Sequence, residues 1–365
     1  MKIGLVTFFK SYNYGAWLQA YGTQKFLELQ GYDVEIIDYT NNFENAKTGL
    51  SYKEGDRFVG YITSFLKSIL FGKVYYYNKG FKRYIKNTYK LSDKKFKNVS
   101  ELEESDYDVL VVGSDQVWNP KITNGLDQVF LLQFGNFRKK LSIASSLGSK
   151  TLSDIEKNQL VNALKGFYAV SVREDFARDY LQGDFVRNIK VLVDPSFLLT
   201  KEQWIENVAR KSKYFNNKEN YILTYFVSNE KRKKANIELV EEYSRKYNMP
   251  VWAIQFSTYF SEGVNKKIVG ASIYDFLALL YNAKLVITDS FHGAALSANL
   301  NINFVAIVNE ENPVRTQNLL SKIGLLDRMN LKCSQYSDID YTLVNKMIAE
   351  LREDSQDWII KNIED

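Results

Sequence analysis

Lys284-Leu-Val-Ile-Thr-Asp-Ser-Phe-His-Gly-Ala-Ala-Leu-Ser-Ala-Asn-Leu300 decides the fold. The apolar run at its start predicts a buried strand over 284–288, and the small and apolar residues from Gly293 onward predict a helix. A strand that leads straight into a helix is half of a βαβ unit. In an open α/β sheet, ligands bind outside the carboxyl ends of the strands. The junction here carries His292, the chain's one histidine. A helix N-terminus favours an anion, and imidazole is the side chain whose unperturbed pKa lies nearest neutrality.

The same alternation extends in both directions. Residues 3–9 predict a strand, 16–29 a helix stopped by Gly31, and 34–38 a second strand. Residues 109–113, 141–145, 167–172 and 190–193 continue the strand series. A second series has strands at 221–227, 251–255, 285–288 and 303–308, with helices at 231–247 and 273–281. Alternating strands and helices predict α/β architecture with parallel sheets. At 365 residues the chain suits two domains of about 150 to 200 residues each. The boundary is expected within 196–218, giving an N-terminal domain over 1–200 and a C-terminal domain over 201–338. An amphipathic helix over 339–365 is expected to pack back on the first domain. An insert at 45–100 interrupts the alternation with interleaved aromatic and basic residues. It reads either as helices packed on the domain or as a surface facing a membrane or an acceptor.

Composition narrows the function classes. Hydrophobic residues at 45% and charged residues at 25% describe an ordinary globular protein. No apolar run approaches the roughly 20 residues that span a bilayer, and the N-terminus is too short for a signal peptide before the first strand begins. One cysteine, Cys333, excludes an intramolecular disulfide and a cysteine-based metal cluster. These features fit a cytoplasmic protein, with peripheral contact at the inner face of the membrane as a further expectation. The formal charge of +5 is spread over short basic clusters without a nucleic-acid recognition motif, so nucleic acid is not an expected partner. No metal is expected either, since no second histidine or cysteine completes a shell around His292.

Four other strand ends carry polar groups. Asn13-Tyr-Gly15 joins the first strand to the first helix, but it is neither a dinucleotide fingerprint nor a Walker loop. Ser114, Asp115 and Gln116 follow the apolar run ending at Gly113. They read either as groups that hydrogen-bond sugar hydroxyls, with Asp115 as acid or base, or as helix caps. Arg173 ends a strand and either grips a carboxylate or phosphate through paired hydrogen bonds or forms an ion pair with Glu174 or Asp175. Asp194 stands before Pro195 at another strand end. At the opening junction, Asp289 and Ser290 either orient the imidazole or cap the helix, and Gly293 gives a ligand close approach. A serine hydrolase is disfavoured because no GxSxG elbow is present.

Taken in order, Asn13-Tyr-Gly-Ala16 with Leu18-Gln-Ala-Tyr21, Gly113-Ser-Asp-Gln-Val-Trp118, Ser171-Val-Arg-Glu174, Asp194-Pro195 and Ser290-Phe-His-Gly293 resemble the polysaccharide pyruvyl transferase family. The likeness covers nearly the whole chain except the insert and the tail. It implies a GT-B-like architecture of two Rossmann-like domains facing across a cleft. It implies transfer of the enolpyruvyl-derived group of phosphoenolpyruvate onto two hydroxyls of a sugar, giving a pyruvate ketal in capsule, exopolysaccharide or cell-wall polymer synthesis. No cofactor is then needed beyond the donor phosphoenolpyruvate, and the acceptor is a sugar, in some relatives a lipid-linked oligosaccharide. On this reading His292, Asp115 and Arg173 are the catalytic candidates. Arg173, His292, Ser290, Phe291, Gly293 and Arg315 are donor-side anion contacts, with Arg173 and His292 gripping the donor across the cleft. Asn13, Tyr14, Gly15, Ser114, Asp115, Gln116 and Asp194 line the acceptor side. Two other readings predict different behaviour. A GT-B glycosyltransferase predicts binding of a nucleotide sugar, and a carbohydrate-binding or membrane-associated scaffold predicts binding that survives loss of His292 and Arg173.

Overall fold

The computed structural model describes the chain except residues 12, 40, 42–83, 86, 104–105, 136, 138, 149–151, 185–187, 229, 256–262 and 309–312. The basic and aromatic segments between 45 and 83 therefore lie outside the described residues. The chain divides into two compact units. Unit 1 holds the described residues up to Leu198 together with Leu351–Asp365, and unit 2 holds those of Leu199–Glu350.

In unit 1 the strands are β1 (Lys2–Val6), β2 (Asp33–Tyr39), β3 (Leu91–Phe96), β4 (Val109–Val112) and β5 (Lys139–Ser142), all parallel, in the order β3-β2-β1-β4-β5. Strands β6 (Ser171–Val172) and β7 (Lys190–Val191) pair with each other. Single bridges from Leu141 to Ala169 and from Ser145 to Val172 connect them to β5. Helices α1 (Tyr14–Leu29), α2 (Pro120–Thr123), α3 (Asp154–Leu164) and α4 (Asp175–Gln182) fill the connections. Strand β4 is Val-Leu-Val-Val and buried throughout, as expected of a central parallel strand covered on both faces.

Unit 2 repeats the plan with α5 (Lys201–Asn207), β8 (Ile222–Tyr225), α6 (Glu230–Tyr247), β9 (Val251–Gln255), β10 (Lys266–Val269), α7 (Ile273–Asn282), β11 (Leu285–Thr288), α8 (Phe291–Asn299), β12 (Phe304–Ala306) and α9 (Pro313–Lys322). Its sheet runs β10-β9-β8-β11-β12, again all parallel. Counted within its own unit, each sheet has the strand order 3-2-1-4-5 of a doubly wound fold. Strand order reverses between β1 and β4 in unit 1 and between β8 and β11 in unit 2. Those are the positions where such sheets open a crevice for ligand.

Helix α10 (Tyr341–Glu364) begins in unit 2, and its residues from Leu351 belong to unit 1. There Arg352 and Gln356 donate to the carbonyls of Phe197 and Leu198 at 2.6 and 2.8 Å. Lys190 and Asp354 form an ion pair at 2.7 Å, and the Val193 N–H donates to Ser355 Oγ at 3.1 Å.

The 45–100 segment is not an uninterrupted insert. Its end supplies β3, whose polar Leu-Ser-Asp-Lys-Lys-Phe sequence forms the sheet edge. Strand β10, Lys-Lys-Ile-Val, is the corresponding edge of unit 2 and was likewise absent from the expected strand series.

Candidate functional site

All five quoted sequence pieces lie at or just beyond the carboxyl ends of parallel strands, namely β1, β4, β6, β7 and β11. In unit 2 the piece after β11 stands at the reversal point, with β8 alongside. Ser290 is the N-cap of α8 and accepts from the Gly293 N–H at 3.3 Å. Among the described residues the Asp289 carboxylate makes no hydrogen bond to the helix end. It accepts from the N–H groups of Val227 and Ser228, at 2.7 and 3.2 Å, and so pins the turn that leaves β8. Of the two open roles, Ser290 takes the cap and Asp289 ties two strand ends together.

His292 occupies the first turn of α8, buried, with its ring set edge-on against Phe291 at 5.0 Å between centroids. The Arg315 guanidinium of α9 lies 5.9 Å from the same phenyl ring. Phe291 therefore spaces an imidazole and a guanidinium around one helix start, where amides lacking an intrahelical acceptor and the helix dipole add positive potential. This is a sound geometry for holding an anion. Gly293 also has a packing reason. A Cβ there would stand 2.5 Å from Thr288 Oγ1, whose hydroxyl is bonded to the Tyr225 carbonyl. The glycine lets α8 close onto β11.

In unit 1 the equivalent reversal point gathers the ends of β1 and β4. Asn13 caps α1 through its side chain, which accepts from the Gly15 N–H at 2.8 Å; Gly15 and buried Tyr14 form the first helical turn. Gln19, fully buried, donates to Thr7 Oγ1 and to the Phe8 and Ala16 carbonyls, and Thr7 donates in turn to the Ser114 carbonyl. These bonds weld the β1 end, the start of α1 and the β4 end into one platform. Gln19 shows no role in the sequence, because its buried partners are not visible in spacing.

Asp115 is half-buried at the crevice with a left-handed backbone, φ 71°. Ala144, at the end of neighbouring β5, has φ 51°. For an alanine this conformation costs about 1–2 kcal/mol. Such strain is kept where surrounding structure over-determines it and clusters at functional sites. The determinants here are serines. Ser114 Oγ donates to the Ala144 carbonyl at 2.7 Å, Ser145 Oγ to the Gly113 carbonyl at 2.8 Å, and the Ala144 N–H donates to Ser171 Oγ at 3.0 Å. Gln116 is held by Asn119, which donates to its Oε1 at 2.8 Å, above Gly148.

Three expectations change. Ser114 and Asp194 do not line an open surface: Ser114 is fully buried and Asp194 nearly so. Arg173 is not an exposed anion contact, since its side chain is 3% exposed and is engaged by two carboxylates, Glu174 at 3.0 Å and Asp194 at 2.8 Å. Glu174 was among the expected alternatives; Asp194, 21 residues away, was not, and Asp175 instead pairs with Arg178. Glu174 Oε1 also accepts from Ser146, and its buried Oε2 has no partner among the described residues. Burial alone pushes the guanidinium pKa down, but Glu174, Asp194 and Asp115 outweigh it and hold it above its ordinary value. Arg173 is thus permanently charged and within electrostatic reach of Asp115.

Among the described residues no group of three or more His, Cys, Asp or Glu side chains could hold a metal, and no helix is long and apolar enough to cross a membrane.

Comparison with solved structures gives the fold class. The UDP-GlcNAc 2-epimerase of Methanocaldococcus jannaschii superposes with a TM-score of 0.52 at 15% identity, over 96% of this chain and 92% of that one. The UDP-GlcNAc 2-epimerase of Neisseria meningitidis bound to UDP-GlcNAc gives 0.53 at 10% identity, over 100% and 99%. At these identities the likeness establishes a GT-B-type α/β fold and nothing of activity. No curated protein sequence matches. The model of the polysaccharide pyruvyl transferase family matches residues 13–311, a span holding every strand-end motif described above. The chain belongs to the polysaccharide pyruvyl transferase family.

Proposed function

We propose that the protein transfers the enolpyruvyl-derived group of phosphoenolpyruvate onto two hydroxyls of one sugar. Family membership implies a pyruvyltransferase with a sugar acceptor. The observation that carries the finer reading is the grouping of His292 and Arg315 around Phe291 at the start of α8. Phosphoenolpyruvate is a small, multiply charged anion, and this is the anion-favouring corner of unit 2.

The reaction defines what the residues must do. One sugar hydroxyl adds to C2 of the donor while the methylene carbon takes a proton and becomes the methyl group. The C2–O bond to phosphate breaks, and the resulting oxocarbenium centre is captured by the second hydroxyl. Of the two hydroxyl protons, one balances the new methyl C–H and the other leaves with phosphate. His292 and Arg315 are assigned to the phosphate, neutralising charge as it departs, with His292 as proton donor to it. Asp115 is assigned to the sugar hydroxyls as base or orienting group in unit 1. Arg173 is assigned a positioning role: with Glu174 and Asp194 it fixes the strand ends that present Asp115 and supplies a fixed positive charge beside it. The acceptor belongs to surface polysaccharide synthesis, with a lipid-linked oligosaccharide presented at the inner face of the membrane as the expected form.

Phosphate release from phosphoenolpyruvate in the presence of galactoside or mannoside acceptors tests the assignment. His292→Ala should lower turnover by about 100-fold or more, the usual scale for loss of a general acid, and Arg315→Ala should raise KM for the donor. Wild-type turnover in both variants would remove the donor site from α8.

A further inference from the structure

A cavity of unit 1 lies to one side of the strand-order reversal. It has a volume of about 500 Å³ and is formed by the end of β2, the residues that follow β3, and residues 123–129 of the segment after β4. Its size falls within the roughly 300–1,000 Å³ usual for ligand pockets. It opens at carboxyl ends of parallel strands, as ligand sites in such sheets do. The segment that lines it follows β4, which stands two strands from β2, ~10 Å away at normal strand spacing.

Its wall is built by hydrogen bonds. Asp127 Oδ2 accepts from the Tyr39 hydroxyl at 2.7 Å and from Asn41 Nδ2 at 2.6 Å, while Oδ1 accepts from the Val129 N–H at 2.8 Å. Asn124 holds a left-handed backbone, φ 58°, at the rim. The side-chain amides of Asn124 and Gln128 and the ammonium of Lys97, all exposed, make no hydrogen bond to the protein among the described residues. Among the described residues the lining charges are one ammonium, Lys97, and one carboxylate, Asp127, which cancel and do not favour a multiply charged anion. The amides offer donors and acceptors together, which suits hydroxyl groups that act as both.

We propose that this pocket is a sugar subsite that binds a neutral hexopyranose unit. On the pyruvyl-transfer reading, on which this assignment of its owner rests, that unit is the acceptor's sugar next to the one that receives the ketal. Sugar binding itself does not depend on that reading.

The test uses the full chain and a panel of methyl hexopyranosides of galacto, manno, gluco and N-acetylglucosamine configuration, observed by saturation-transfer NMR. At least one is expected to bind saturably in the millimolar range. Gln128→Ala and Lys97→Ala should each weaken it about fivefold, the scale of one lost hydrogen bond, while leaving thermal stabilisation by phosphoenolpyruvate unchanged. Both side chains are exposed and make no hydrogen bond among the described residues, and the unchanged phosphoenolpyruvate response reports that each variant is folded. Absence of saturable binding across the panel, or binding that both variants retain in full, overturns the proposal. Loss of the phosphoenolpyruvate response in wild type with glycoside binding intact counts against the donor assignment instead.

Discussion

Arg173 illustrates how a single residue divides between two roles that look identical in sequence. An arginine at a strand end suits an anion contact, and the local sequence offered Glu174 and Asp175 as competing partners. What settles its surroundings is Asp194, 21 residues on, brought alongside when β7 pairs with β6. Removing the guanidinium leaves two buried carboxylates without their cation. Arg173→Ala should therefore cost about 3–5 kcal/mol of stability, read as a fall in urea midpoint, besides any loss of activity. A residue whose only task is to touch phosphate would lose activity with its midpoint unchanged. Ser114 teaches the same lesson on a smaller scale, because its hydroxyl belongs to the Ala144 carbonyl rather than to an acceptor.

At the scale of elements, apolar periodicity located the central strands, since a parallel strand buried on both faces must be a continuous apolar run, and helices α1, α6, α7, α8 and α10; helices α3 and α4 between the later strands of unit 1 went unread. It failed at one edge of each sheet. Strands β3 and β10 expose much of their length, and their Lys-rich sequences carry no such run. Charged edges of this kind discourage pairing with another chain, so the missing signal has a physical cause. The junction of β11 with α8 was legible in outline, but the packing reason for Gly293 was not, because Thr288 becomes its neighbour only when helix and strand close. Gly293→Ala should lever α8 off β11 and destabilise unit 2 by about 1–3 kcal/mol, measured by thermal unfolding. A variant as stable as wild type would mean that the Thr288 side chain yields without cost.

At the scale of the molecule, two units repeat one strand order, and both sequence pieces richest in polar groups stand at the two reversal points. That placement follows from topology, and it is why strand-end motifs spaced over almost 300 residues belong to one functional account. The pocket around Asp127 escaped the sequence reading because its walls come from three separated connections and contain no motif. On the proposed function, unit 2 holds phosphoenolpyruvate through His292 and Arg315. A ligand that binds only the folded protein raises its melting temperature, so the most direct measurement is a thermal-shift comparison of phosphoenolpyruvate and UDP-GlcNAc on wild type, His292→Ala and Arg315→Ala. Phosphoenolpyruvate should raise the melting temperature of wild type, and each variant should lose most of that rise. UDP-GlcNAc should do neither. Stabilisation by UDP-GlcNAc with no response to phosphoenolpyruvate would contradict the proposed function.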